Sequence, residues 1–588
     1  MKFHLSLPLL CAIALLGACS DDTTGDPTTA GSTSTTDATD STTDATTDPD
    51  TTPTTSDTAT TATTSDTDGS ESDTDTETTG EPEDAVTRVV YRAVVEAPDV
   101  VEIFAVDVSD GVADPPAKVS AELAAGEVIG GQLRSTDRWL VYGGFSPDTS
   151  SSELYVVDLR APTPGAAFRV TDAPVPALGT VVGDIEFSPD GSLLAFSHHG
   201  PSAGVNVYLV PVDGDEPGTA ARLNPEAAVD SGVIFDAFSP DGDRVLYTGS
   251  IDDGVDNVYL QYADIADPGP PVLVSDNQSP DVAIASARWI DGDWIEYRAD
   301  VDDDGIGEVF VVDVSGAPGE PIALDMGDAG MVRAAGMAPD LRGYAYWVGD
   351  GVFGDLYVAP FDGVSFGPPA LVNTIGAGGD VYAKDAYWSP DSSWLVYVAA
   401  HNTPGILELF AVDMEGVDPG APQQVNGPLS PDGEAGNPRF SPTGSHLYYF
   451  ATQDSAALEL YRVSVAPGVI GAFERVHQQT IHHSTSLRFF GEEQLVFVGS
   501  EGDDDELFIV DLNAAPLTAQ RVNASHPGAD VTFGYQHSAD GRAIAYATAV
   551  PQGPQPIYLV DQDGDGLGVA VEVAADSELG PLAVRKLP

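Results

Sequence analysis

An all-β fold of repeated, stacked sheets is what the sequence predicts, and three observations predict it. The six-residue phrase typified by Glu153–Asp158 (ELYVVD) returns ten times, starting at Glu102, Glu153, Asn206, Asn257, Glu308, Asp355, Glu408, Glu459, Glu506 and Pro556. Successive copies begin 47 to 53 residues apart. A second phrase, Phe187–Gly191 (FSPDG), stands about 20 residues ahead of most of them.

Each unit reads as four short strands. Strand a ends at FSPDG, where Pro189 fixes φ near −65°, Asp190 tolerates the next turn position and Gly191 takes a positive φ without steric cost. Strand composition on both flanks makes the phrase a turn between antiparallel strands. It recurs as Phe238–Gly242, Met337–Leu341, Trp388–Ser392, Phe440–Gly444 and His537–Gly541. Weaker versions are Leu133–Asp137, Trp289–Asp293 and Phe489–Glu493. Strand b follows, as in Ser192–Ser197 or Trp394–Ala399. Strand c is the ELYVVD phrase, largely apolar on both faces, as a sheet packed between sheets requires. Strand d is short, as in Phe168–Thr171, Pro271–Ser275 or Ala519–Asn523. Four such strands repeated radially form a β-propeller blade.

The first unit lacks FSPDG and opens directly on a b-like strand, Arg88–Val95. After strand d of the tenth unit, Val569–Val573, the segment Leu582–Leu587 is left over. Lent to the first unit as its strand a, it closes a ring and leaves no open edge at the seam. The expectation is one propeller of about ten four-stranded blades over residues 85–588, with two smaller propellers as the alternative. FSPDG followed by ELYVVD resembles the TolB-type propeller repeat, also seen in prolyl-oligopeptidase-like peptidases. TolB adds an α/β domain to six blades and the peptidases add a hydrolase domain. The sequence shows neither, so only the repeat type is expected to carry over.

Ahead of the ring, residues 1–19 have the pattern of a lipoprotein signal peptide: Lys2, an apolar core over Leu5–Leu16, and Leu16-Gly17-Ala18-Cys19. The apolar core is too short for a settled membrane span. Cys19 is the expected lipid acceptor, and Ser20 after it favours, by the rule of such proteins, the outer membrane. Membrane attachment is expected through this anchor only. The one other cysteine, Cys11, belongs to the signal, so no disulfide is expected. Residues 20–84 hold 18 acids and no base among Thr, Ser, Gly and Pro. Such a segment cannot bury enough apolar surface to fold and reads as a disordered acidic stalk.

Net charge is −70, of which −53 (75 acids, 22 bases) falls on residues 85–588. That field disfavours nucleic acid and suits cations or basic partners; solubility in salt explains it equally well. The sharpest motif is DxDxDG over Asp300–Gly305, followed by Ile306 and Glu308. Carboxylates of Asp300, Asp302, Asp304 and Glu308 with the Ile306 carbonyl are expected to surround calcium. Val311 at position twelve departs from an EF-hand, and the run resembles the short calcium loops of integrin-type propellers. A solvated acidic hairpin is the plain alternative. Asp561, Asp563 and Asp565 form a weaker second run, with Val569 at its ninth position. His482, His483 and His526 fall in corresponding connections, where imidazoles are candidate transition-metal ligands; some TolB-repeat sugar lyases use channel histidines so. Gly200–Gly204 spells GxSxG, but no helix follows it, so it reads as a hairpin loop. Two functions stay open. One is a non-catalytic, envelope-anchored propeller binding a protein or glycan partner. The other is an exported metal-dependent polysaccharide lyase or hydrolase with its site in the channel.

Overall fold

The structure, a computed structural model, describes residues 86–587 apart from a set of connections. The longest of these are 123–127, 172–178, 302–306, 327–331, 374–380, 478–486, 524–529 and 550–554. Every regular element among the described residues is a strand. The turn phrases form as their chemistry dictates. In blade 3 the Gly191 amide donates to the Ser188 carbonyl at 2.7 Å, with Gly191 at φ 70°. Ser188 adds a part that Pro, Asp and Gly do not supply. Its buried hydroxyl donates to Asp190 Oδ1 at 2.6 Å and accepts the Leu193 amide at 2.9 Å, locking the start of strand b. Ser389 repeats the arrangement with Asp391 and Trp394.

Strands then pair in the order a-b-c-d, blade after blade. The a strands of blades 2 to 9 are Val128–Ser135, Thr180–Phe187, Gly232–Phe238, Ile284–Trp289, Val332–Met337, Val381–Trp388, Ala435–Phe440 and Arg488–Phe490. In blade 10 strand a is split into Asp530–Val531 and Gln536–His537. Blade 1 takes its strand a from Pro581–Lys586, which pairs antiparallel with Thr87–Glu96 in the register Val89↔Val584 and Val90↔Ala583. The last strand of the chain thus completes the first sheet.

Apolar packing closes the same circuit. Among the described residues ten buried clusters each join two consecutive blades. Val141 and Val156 of blade 2 meet Phe196 and Tyr208 of blade 3, for example. The tenth cluster joins blade 10 to blade 1, with Val89, Tyr91 and Val106 against Ala545, Ile557 and Leu559. Two smaller rings would require a junction that skips blades, and the junctions instead run consecutively and then from last to first. The fold is one ten-bladed propeller.

Two hydrogen-bonding devices recur that the repeat phrases do not announce. A residue at the start of strand b, the first in blades 2, 4 and 7 and the second in blade 1, reaches the neighbouring blade. Trp139 Nε1 donates to the Val212 carbonyl at 2.7 Å, Trp394 Nε1 to Ala466 at 3.2 Å, Arg244 Nη1 to Val314 at 2.7 Å and Arg88 Nη1 to Leu159 at 2.9 Å. The second residue after strand d turns inward to accept the amide near the start of strand c. The pairs include Thr171 with Leu154, Asn224 with Val207, Ser275 with Val258, Asn373 with Leu356, Asn426 with Leu409 and Asn523 with Leu507.

This second device shortens strand d below expectation. It spans only Phe168–Arg169, Val272–Leu273 and Ala519–Arg521: the next residue still donates its amide to strand c, as Val170 does to Leu154 at 2.9 Å, and the one after it bonds through its side chain. Blade 8 departs the other way, with a nine-residue strand d, Val469–His477. A tight hairpin with Gly468 at φ 67° precedes it and zips it to strand c. In blade 10 strand d is Val571–Ala574, two residues later in its start than expected.

Candidate functional site

Strand a is the innermost strand of a blade, so side chains along it border the centre of the ring. One register position is shared by all ten. Opposite the third residue of strand b (the fourth, Val90, in blade 1) stand Ala583, Arg134, Glu186, Ala237, Arg288, Gly336, Tyr387, Arg439, Arg488 and Gln536, for blades 1 to 10. Several of these reach the adjoining blade. Arg134 Nη2 lies 3.9 Å from Asp184 Oδ1, and the Phe238 amide donates to Glu186 Oε2 at 3.3 Å. The Arg288 guanidinium lies over Gly336, where an added Cβ would meet Nη2 at 3.0 Å. Arg439 stands 5.3 Å from the Tyr387 ring centroid, and Arg488 stands 5.3 Å from that of Tyr535. These guanidinium–ring contacts hold the arginines in place without neutralising them. Among the described residues neither Arg439 nor Arg488 has an ion-pair partner.

The rim carries two electrostatic environments. On blades 3 and 4 it is acidic. Asp236 sits at a bulge of its strand, takes a 3.5 Å bond from Thr248 Oγ1 and leaves Oδ2 buried without a partner. Burial, with the Asp184 carboxylate adding to it, pushes the Asp236 carboxyl up to about 7. Burial also raises Glu186, against the opposing bond from the Phe238 amide. On blade 5 the chemistry reverses. Arg288 Nη2 pairs with buried Glu296 at 2.9 Å while its own side chain stays 56% exposed. Tyr344 donates to the other Glu296 oxygen at 2.9 Å, and burial holds that phenol well above its usual range.

Between blades 2 and 3 lies a cavity of about 290 Å³. Gly130, Gly143, Gly144 and Gly183 line it with Phe145 and Val181. A Cβ on Gly143 would come within 2.6 Å of the Gly130 carbonyl oxygen, so that close approach of backbones requires glycine. No such limit holds at Gly130, whose Cβ position is open.

The residues expected from the sequence to carry chemistry are reached only in part. Cys19, Asp302, Asp304, Ile306, His482, His483, His526 and Asp565 lie outside the described residues. In the DxDxDG run Asp300 directly follows strand b, Trp294–Ala299, and Glu308 opens strand c, as a b–c hairpin requires. The Glu308 carboxylate accepts the Val301 amide at 2.8 Å. Its place in the repeat has a structural reason as well, since the matching residue elsewhere is held by strand d: Glu102 by Lys118 at 2.9 Å and Asp355 by Asn373 at 3.2 Å. Asp561 faces the seam, 3.5 Å from Thr87 Oγ1, and Asp563 pairs with Gly566 in a tight hairpin after strand c. GxSxG falls between His199, the end of strand b, and Val205, the start of strand c. His477 is buried against Phe508 at 4.5 Å, and His537 against Phe490 at 3.9 Å. The rim arginines were not singled out from the sequence. Their signal was the residue just ahead of the aromatic in the turn phrase.

No protein-family model matches the chain, and no curated protein matches it. Solved structures do. A TolB protein of Agrobacterium tumefaciens is 18% identical at a TM-score of 0.24, over 42% of this chain and 83% of that one. A puromycin-hydrolysing peptidase of Mycobacterium tuberculosis is 13% identical at a TM-score of 0.30, over 72% of this chain and 58% of that one. Prolyl oligopeptidase B of Galerina marginata is 11% identical at a TM-score of 0.33, over 59% of this chain and 52% of that one. The chain spans about half the length of that oligopeptidase. The fold assignment rests on the strand pairing and packing above.

Proposed function

We propose that this chain is an envelope-tethered propeller, anchored through a lipid on Cys19, that binds a protein or glycan partner at its inner rim without chemically altering it. The observation that carries the reading is the shared rim position. In seven of the ten blades it presents a polar or aromatic side chain, several of them held by a neighbour, which is the preorganisation that binding rewards. Hydrogen exchange on the full chain, with and without a captured partner, tests the location. Protection is expected on inner strands such as Ala435–Phe440; protection confined to the two-residue outer strands refutes it. Release of shortened or unsaturated sugars from a bound glycan would overturn the non-catalytic part. Loss of metabolic lipid labelling in Cys19→Ser checks the anchor.

Calcium at the loop that Asp300 and Glu308 delimit belongs to the same proposal, as a brace of the blade 5 hairpin, with Asp302, Asp304 and the Ile306 carbonyl completing the set. The run from Asp561 to Asp565 is the weaker second candidate. Calcium titration calorimetry on wild type and Asp300→Ala/Asp302→Ala tests the first, and equal heats dispose of it.

One observation favours the enzymatic reading. Asp236, held to about 7 beside Asp184 and Glu186, is poised as a general acid on the rim. In that reading His482, His483 and His526 would supply a metal. A turnover assay against polysaccharides that shows no dependence on Asp236→Asn removes this support.

A further inference from the structure

At one junction of the ring, glycine stands where the next junctions carry side chains. Gly130 on strand a of blade 2 pairs with Gly143 on strand b, and Gly143 with Leu154 on strand c. Directly paired residues point to one face of a sheet, and Leu154 packs in the cluster shared by blades 2 and 3. Gly130 and Gly143 therefore face blade 3, and they leave open the cavity of about 290 Å³ that they line. One junction further on, the same register holds Val182 and Ser197, and the Ser197 hydroxyl accepts the Phe235 amide of blade 4 at 2.7 Å. Blade 4 has Ile234 and Thr248 there. The close approach of the Gly130 carbonyl explains Gly143, whereas a Cβ on Gly130 would meet nothing within 4 Å. A strand glycine that its own sheet does not require marks a place where another group approaches. Both inner strands bulge beside the cavity, as strands do next to binding sites. Residues 131–133 stand against Tyr142 alone in blade 2, and Gly183 and Asp184 interrupt the pairing in blade 3.

We propose that this cavity is an anchor pocket for a protein partner and takes one bicyclic aromatic side chain, that of tryptophan. The inference rests on the binding reading above and chooses a protein over a glycan at this part of the inner rim. Size selects the group. A cavity of about 150 Å³ holds one benzene, so the 290 Å³ between blades 2 and 3 suits a two-ring group. It falls just below the roughly 300–1,000 Å³ that whole small-molecule ligands occupy.

Lining selects the chemistry. Phe145, Leu154, Val181 and Ile185 supply apolar surface, and among the described residues Ser152 and Thr180 are the lining side chains with a polar atom. The Ser152 hydroxyl already accepts the Val181 amide at 2.7 Å. A sugar ring would bury several hydroxyls there without partners, which disfavours it strongly. An indole brings a single N–H and two apolar faces. Phe145 lines the cavity while staying 37% exposed, so it marks the opening and offers an entering ring an aromatic neighbour. Aromatic side chains seated in desolvated pockets are the residues on which protein interfaces depend most.

The test titrates the full chain calorimetrically with N-acetyl-tryptophanamide, indole, N-acetyl-alaninamide and galactose. Gly130→Leu and Phe145→Ala are compared with the control Gly316→Leu, at an open glycine after strand c of blade 5. N-acetyl-tryptophanamide and indole are expected to bind in the millimolar range, and the other two probes not to. Gly130→Leu should weaken both ring compounds about tenfold or more by filling the space, Phe145→Ala about threefold or more, and the control should leave them unchanged. Far-ultraviolet circular dichroism verifies that the variants fold. Binding of indole without N-acetyl-tryptophanamide overturns the side-chain anchor, because the pocket then admits free rings alone. Galactose binding that Gly130→Leu abolishes overturns the apolar assignment and leaves the binding reading standing. No binding of either ring compound, or unchanged affinity in both cavity variants, also overturns the proposal. A captured partner that protects the inner strands from hydrogen exchange equally in wild type and Gly130→Leu removes the anchor and keeps the binding reading.

Discussion

Replacing Arg88 puts a number on how the ring is closed. Arg88 opens strand b of blade 1 and its side chain is fully buried. Nε and Nη2 hold both oxygens of Asp107 at 2.6 and 2.7 Å, and Nη1 donates to the Leu159 and Ala161 carbonyls of blade 2 at 2.9 and 2.7 Å. Arg88→Met keeps most of the apolar stem and removes all four bonds. It leaves the Asp107 carboxylate, only 17% exposed, without its partner. Breaking a buried pair from one side costs about 3–5 kcal/mol. At the start of strand b in blade 2, Trp139→Phe removes a single neutral bond, to the Val212 carbonyl, worth about 1 kcal/mol, and the smaller ring adds a cavity cost of about 1 kcal/mol. Urea unfolding followed by tryptophan fluorescence and circular dichroism should therefore rank Arg88→Met well below Trp139→Phe. The double variant Arg88→Met/Asp107→Leu should recover most of the loss, because removing both charges leaves nothing buried and unpaired. A loss under 1 kcal/mol in Arg88→Met, or no recovery in the double variant, refutes the assignment of this pair as a structural tether.

Three further outcomes follow from named residues. Asp236, raised from 3.8 to about 7, contributes stability that is present below pH 4 and lost as pH rises through 7; Asp236→Asn should match wild type at pH 4 and exceed it at pH 8.5 by at most about 4 kcal/mol, and a pH-independent difference sinks this. His198 is depressed from 6.5 to about 4 by burial, so its contribution is present above pH 6.5 and lost as pH falls toward 4; His198→Gln should flatten the acid limb of a stability profile, by about 3 kcal/mol at most, and an unchanged limb argues against a buried neutral imidazole. Deleting 581–588 strips the inner strand from blade 1 and bares the edge of Thr87–Glu96; light scattering should then show self-association, and a stable monomer would contradict closure through this strand.

Much of the fold was legible because the repeat exposes its own boundaries. A turn whose residues need special φ values, followed about 20 residues later by an apolar phrase, marks strands a, b and c in unit after unit. The orphan last strand and the missing first turn phrase then specify closure, and Pro581–Lys586 stands one residue from its expected place. Strand d was legible only loosely, because its length is decided by side chains such as Thr171 and Asn523, whose inward turn no periodicity reports. The nine residues of Val469–His477 were hidden for a similar reason: their pairing follows from the hairpin at Gly468 and not from their own composition. Site chemistry was less legible still. Asp-rich and His-rich motifs stand out in a sequence, whereas Arg439 or Arg488 gains meaning only once strand a is known to line the centre.

Ten copies of one blade also supply a comparison within a single chain. Where the fold constrains a position, chemistry repeats: a buried turn serine at Ser188, Ser239, Ser389, Ser441 and Ser538, and an apolar strand c that is almost fully enclosed. Donors to the neighbouring blade are exchanged between Trp and Arg, yet Trp139, Arg244 and Trp394 perform the same task with different atoms. At the shared rim position the constraint is looser, although Gly336, at φ 108° beneath Arg288, is held to glycine. Arg, Glu, Ala, Gly, Tyr and Gln all occur there, with nearly unchanged pairing to strand b. A position that tolerates every chemistry without disturbing the fold is free to answer to something other than the fold. On an acidic chain, four of its ten places hold arginine, three of them between blades 5 and 9. Packing does not ask for arginine there, since Ala237 and Gly336 fill the same place in their own blades. What the position carries is therefore decided by something other than the pairing of strands a and b, and the arginines there meet the adjoining blade: Arg288 at Gly336, Arg439 at Tyr387 and Arg488 at Tyr535.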